Sequence, residues 1–66
     1  MSDTERDVLC LMVKGLNNSQ IAELRGVAER TIVFHISNIL QKLGVETRQA
    51  AAAWALEHIP ALADDE

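Results

Sequence analysis

Cysteine is almost missing. Cys10 stands alone, so no disulfide can close within the chain. The two histidines, His35 and His58, lie far from it and from each other. That does not match zinc-ligand spacing, and neither a metal nor another cofactor is expected. A reduced, cytoplasmic setting fits this thiol usage. Long apolar runs are missing too. A membrane span needs about 18 consecutive apolar residues, and no stretch approaches that length, so no membrane partner is expected. The polar, acidic opening Met1-Ser2-Asp3-Thr4-Glu5 does not read as a signal peptide. There is no paired-carboxylate site, no Cys/His or Ser/His constellation with supporting spacing, and no phosphate-cradling glycine loop, so an enzyme is not expected. Glycine is sparse, Pro60 is the only proline, and no alternating apolar run is bounded by turn pairs. With strands excluded, the Ala- and Leu-rich remainder predicts an all-α fold. The 66 residues allow one domain with a small, marginally stable core.

Positive charge is also scarce. Six Lys and Arg face ten Asp and Glu, for a net charge of −4. Taken alone, that argues against a nucleic-acid partner. Its distribution is uneven, however. Residues 1–13 carry net −2, residues 14–48 net +2 through Lys14, Arg25, Arg30, Lys42 and Arg48, and residues 49–66 net −4. Screening acts over roughly 8–10 Å, so phosphate contact depends on the mildly basic middle more than on the total.

What is present is a series of capped helical segments. Ser2-Asp3-Thr4-Glu5 is a capping box, and Asp3 suits the helix dipole. The helix it opens, about residues 3–14, carries Val8, Leu9, Leu11, Met12 and Val13 on a broad apolar face and ends at Gly15. Cys10 falls away from that stripe and reads as filler. Asn17 with Gln20 repeats the box and opens a short helix, 18–25, expected to bury Ile21, Ala22 and Leu24 before Gly26 stops it. Asn17, Asn18 and Ser19 gather donors where free N–H groups point outward; plain capping and a phosphate seat are both open readings. A third helix spans 29–43. Ala28 is a poor residue for its cap, and Thr31 offers a later start. Gly44 closes it and Val45 is expected to fold back onto the core. Thr47 caps a fourth helix, 48–59, which Pro60 ends. Arg48 near a helix start is unfavourable for the dipole, which favours a phosphate or acidic partner for it. The domain is read as residues 1–60, with 61–66 an acidic tail expected to fray.

The third helix has two faces. Ile32, Ile36, Ile39, Leu40 and Leu43 repeat at the spacing of one buried stripe. Phe34, Ser37, Asn38 and Gln41 lie elsewhere, and the last three are uncharged groups that both donate and accept hydrogen bonds. Helices two and three are joined by a short turn at Gly26, which is helix-turn-helix architecture. Ser37, Asn38 and Gln41 could hydrogen-bond base edges. Small helical bundles of this size serve other interactions too, and spacing alone leaves both open.

Three ordered stretches go further: Thr4-Glu5-Arg6-Asp7-Val8-Leu9, then Gly15-Leu16-x-Asn18-x-Gln20-Ile21-Ala22, then Arg30-Thr31-Ile32-x-Phe34-His35-Ile36-x-Asn38-Ile39-Leu40-x-Lys42-Leu43-Gly44-Val45-x-Thr47-Arg48-x-x-Ala51. Over residues 1–57 the chain resembles the LuxR/GerE-type helix-turn-helix domain of bacterial transcription regulators. Phe34-His35 looks most like the autoinducer-responsive branch, and Gly15-Leu16-x-Asn18 more like the response-regulator branch. The resemblance implies sequence-specific binding of double-stranded DNA, with the third helix in the major groove and the fourth pairing in a homodimer. Val33, Phe34 and Ser37 then occupy base-facing slots. Asn18, Ser19, Arg30, Thr31, His35, Lys42 and Arg48 match phosphate-contacting or orienting slots. Ala50, Ala53, Trp54 and Glu57 fall at the dimer seam, although Trp54 could equally complete the core. A sensing or receiver domain in a longer parent chain is also implied. Some family features are missing: Val33 and Gln41 stand where basic residues are common, and so does Glu46. The alternative is a protein-binding module of the same fold, which dimerises with or inhibits a DNA-binding relative.

Overall fold

A computed structural model of the chain describes residues 2–59. It contains α1 (Asp3–Val13), α2 (Asn18–Arg25), α3 (Glu29–Leu43) and α4 (Arg48–His58), and no strand among the described residues. The all-α, four-helix expectation therefore holds. Helices α1 and α4 each end one residue earlier than expected. The readings for Pro60 and for the tail 61–66 lie outside the described residues.

Local chemistry accounts for the helix starts. At α1, Glu5 N–H donates to Ser2 Oγ and Ser2 N–H donates to Glu5 Oε1, both at 3.2 Å. At α2, Gln20 N–H donates to Asn17 Oδ1 at 2.8 Å, and Asn17 N–H to Gln20 Oε1 at 2.9 Å. At α4, Ala50 N–H donates to Thr47 Oγ1 at 3.0 Å. Helix α3 differs: Ala28 is its cap residue and supplies no side-chain hydrogen bond. Thr31 lies inside the first turn, so it does not provide the later start.

The stops of α1, α2 and α3 share one geometry, whereas α4 ends at Ile59 with φ −126° and a single bond from its N–H to the Ala55 carbonyl. Gly26 adopts φ 71°, where a side chain would strain the backbone. Its N–H donates to the Glu23 carbonyl, and the next N–H, of Val27, reaches back to the Ala22 carbonyl at 3.1 Å. This is the Schellman closure, which satisfies the orphan carbonyls of a helix end. The same pair of bonds closes α1 at Gly15 and α3 at Gly44. At those two ends the following residue, Leu16 or Val45, packs against the core.

Val8, Leu9 and Met12 of α1, Ile21 and Ala22 of α2, Ile32, Ile36 and Ile39 of α3, and Ala51 and Ala55 of α4 form one buried cluster. Helix α1 packs most heavily on α4 and α2 most heavily on α3, with α1 also lying on α3. Leu24 corrects the expectation for α2: it is 66% exposed. Ile21 and Ala22 are the buried residues of α2, and Leu24 lies about 110° round the helix from the midpoint between them, outside that side.

Candidate nucleic-acid interface

Packing α3 through Ile32, Ile36 and Ile39 leaves its opposite side in water. Arg30, Phe34, Ser37 and Gln41 are all exposed. They follow one another at intervals of four, three and four residues, which is a single stripe on a helix. Val33 flanks it on one side and is exposed; Asn38 flanks it on the other and is half-buried. Phe34 is 62% exposed and Val33 47%. The Phe34 ring meets that of His35 at 6.0 Å in a tilted arrangement, while His35 itself is half-buried. Thr31 is half-buried as well. The structure therefore brings together four of the five residues expected to face bases, with Arg30 at the amino-terminal end of the same stripe.

Two cations expected at phosphates are engaged inside the domain. Lys42 Nζ donates to Glu5 Oε1 at 2.7 Å, linking the end of α3 to the start of α1. Glu5 is 5% exposed. The Lys42 hydrogen bond, helped by the Ser2 backbone N–H, holds the Glu5 carboxyl below its ordinary range and outweighs the opposing effect of burial. Arg48 bridges α4 to the other side of the fold. Its guanidinium donates to Asn18 Oδ1 and, at 3.1 Å, to the Leu16 carbonyl. The partner anticipated for Arg48 thus consists of neutral oxygens of its own domain. Asn18 and Ser19 sit at the first turn of α2, where Ser19 is exposed and the Asn18 oxygen is occupied by Arg48. An open cleft of about 240 Å³ beside Arg48 is lined by Met12, Gly15, Leu16, Gln49 and Ala52 as well, none of them on α3. A further cation, Arg25, pairs with Asp7 at 2.9 Å.

On α4, Ala50, Ala53, Trp54 and Glu57 share one side of the helix by spacing. Ala53 and Glu57 are exposed, Ala50 and Trp54 half-buried. Trp54 packs partly against the core. Its ring also stacks on His58 at 4.4 Å and 12°, with His58 Nδ1 2.9 Å from the Trp54 carbonyl.

This is a helix-turn-helix whose second helix presents a mixed apolar and hydrogen-bonding stripe. The family model for bacterial regulatory proteins of the luxR family matches residues 1–55. The chain belongs to that family. Among similar proteins, the DNA-binding transcriptional activator DevR/DosR of Mycobacterium tuberculosis is 44% identical over 57 residues, which cover 86% of this chain and 26% of the activator. The response regulator protein VraR of Staphylococcus aureus is 36% identical over 58 residues, 88% of this chain and 28% of VraR. The VraR of Staphylococcus saprophyticus matches to the same extent. The chain thus spans about a quarter of the length of these relatives.

Sequence reasoning about this luxR-family domain missed the Glu5–Lys42 and Asp7–Arg25 pairs and the Trp54–His58 stack. The last has a local signal, since residues four apart share a helix face. Lys42 had none: at about 100° per residue it lies about 80° from both Ile32 and Phe34, so spacing assigns it to neither side.

Proposed function

We propose that this luxR-family domain binds double-stranded DNA in bacterial transcription regulation, with α3 lying in the major groove. The observation that carries the reading is the exposed stripe Arg30, Phe34, Ser37 and Gln41 on the second helix of a helix-turn-helix. The similarity to a protein named a DNA-binding transcriptional activator supports it. Val33, Phe34, Ser37, Asn38 and Gln41 meet base edges. Arg30 carries the main phosphate contact, assisted by Thr31, His35 and the α2 start at Asn18 and Ser19. Lys42 and Arg48 act within the domain, orienting α3 and α2. Two copies pair through Ala50, Ala53, Trp54 and Glu57 and set their third helices about 34 Å apart, reading half-sites one turn apart. By likeness to the response regulators, a receiver domain elsewhere in a longer parent chain supplies the signal.

Few uncommitted cations mean few neutralised phosphates, so one domain binds modestly and pairing matters. The test is retention of duplexes from a randomised pool at low salt, followed by affinity against salt. Enrichment of a common half-site, with affinity falling as salt rises, is expected. No retention at low salt would overturn the proposal.

A second reading rests on charge. The net charge is −4, and Lys42 and Arg25 are each paired with a carboxylate. A protein-binding module that forms mixed dimers with a DNA-binding relative would show that pairing and retain no duplex.

A further inference from the structure

We infer that the half-site core read by this domain presents thymine methyl groups, and that Phe34, with Val33 beside it, is the specificity-determining group that senses them. The inference rests on the DNA-binding proposal above.

The warrant is the chemistry left on the outer side of α3. In the major groove, guanine is best recognised by a bidentate Arg or Lys, adenine by a bidentate Asn or Gln, and thymine by an apolar contact with its C5 methyl. Between Val33 and Gln41 the exposed side of α3 carries no cation. Lys42, the one Lys of this helix, is turned to Glu5. Arg30, given above to a phosphate, is the single group on the stripe that could turn to a guanine instead, and it stands about 6 Å from Phe34 along the axis. The stripe holds instead an aromatic ring 62% exposed, flanked by a Val 47% exposed, although the buried side already has Ile32, Ile36 and Ile39 to fill the core. The major groove offers such groups one apolar partner, the thymine methyl. Ser37 accepts or donates to several bases, and Gln41 matches the N6 and N7 of adenine. Phe34 to Gln41 covers about 10 Å, roughly three base-pair steps at 3.4 Å each. The core is therefore read as about three to four A·T-rich pairs, with at most one guanine at the edge that Arg30 faces.

The experiment uses the duplex enriched from the randomised pool and replaces its thymines one at a time with deoxyuridine. That change removes the methyl and keeps the hydrogen-bonding edge. Burying one methyl-sized group corresponds to about a fourfold change in affinity. A loss of that size is expected at one or two positions of each half-site, and Phe34→Ala, which alters an exposed residue, should bind the thymine and deoxyuridine duplexes alike. Circular dichroism of Phe34→Ala confirms that the fold is kept. A bound duplex insensitive to deoxyuridine, a core of guanines contacted away from Arg30, or undiminished sensitivity in both Phe34→Ala and Val33→Ala would overturn the inference while leaving DNA binding in place. No duplex retained at low salt would overturn the DNA-binding proposal itself, and the inference with it.

Discussion

Replacing Ala28 with serine should make the domain more heat-stable. Ala28 holds the cap position of α3 at φ −71° and ψ 151°, the extended backbone a cap residue needs, yet supplies no side-chain acceptor. The Thr31 N–H has only the Ala28 carbonyl, at 3.0 Å. Ser2, Asn17 and Thr47 show what is missing, each accepting from the N–H three residues on. A serine Oγ placed on the same backbone gains about 1 kcal/mol, within a range of roughly 0.5–2. Unfolding entropy is about 2.1 cal/mol/K per residue, or about 120 cal/mol/K over residues 2–59, so 1 kcal/mol raises Tm by about 8 °C. Thermal unfolding followed by far-UV circular dichroism, at fixed protein concentration, measures the shift. Thr47→Ala is the reciprocal control and should lower Tm by a similar amount. If Ala28→Ser leaves Tm unchanged while Thr47→Ala depresses it, the α3 start is satisfied some other way and the reasoning fails.

Other outcomes follow from the packing and the ion pairs. Ile39 is fully buried, so Ile39→Ala should cost about 2–5 kcal/mol against a total of about 3–5 for so small a core; urea titration should show no cooperative transition, and a wild-type-like curve would contradict this. The lowered Glu5 pKa means stability that is present above its ordinary value of 4.5 and is lost as pH falls through the lower folded value. Urea midpoints measured from neutral pH downward should therefore drop below about pH 4.5, with a shallower drop in Glu5→Gln; identical pH slopes would refute the assignment. Arg48→Ala should lower Tm but leave the salt slope of duplex binding unchanged, because its donors serve Asn18 and Leu16. A slope reduced by about 0.9 would show instead that Arg48 contacts a phosphate.

The parts of the fold that were legible in the sequence are those decided within one turn of chain. Ser2 with Glu5 and Asn17 with Gln20 are three residues apart, and both boxes form as read. Gly15, Gly26 and Gly44 each take the positive φ their positions imply. The stripe of Ile32, Ile36 and Ile39 was readable because only one side of a helix can face a core. Partners set by packing were not readable. Lys42 and Glu5 are 37 residues apart, and Arg48 and Leu16 are 32 apart. Only the crossing of α1 over α3, and of α4 beside the α1–α2 turn, brings them together. Leu24 failed for a related reason: its residue type suggests burial, but it lies about 110° round α2 from the midpoint of Ile21 and Ala22, where no other helix covers it. Local charge counts therefore could not show that Lys42, Arg25 and Arg48 are engaged inside the domain, while the uncharged stripe of α3 was legible from spacing.

The most direct test compares wild type with Phe34→Ala on the selected duplex and on a scrambled duplex, across a series of salt concentrations. If α3 reads the bases, wild-type affinity falls with salt on both duplexes and is higher on the selected one. Phe34→Ala should then keep the salt slope and lose about fourfold of that preference for each thymine methyl it contacts. Phe34→Ala binding the selected duplex as tightly and selectively as wild type would show that this face of α3 is not the reading surface.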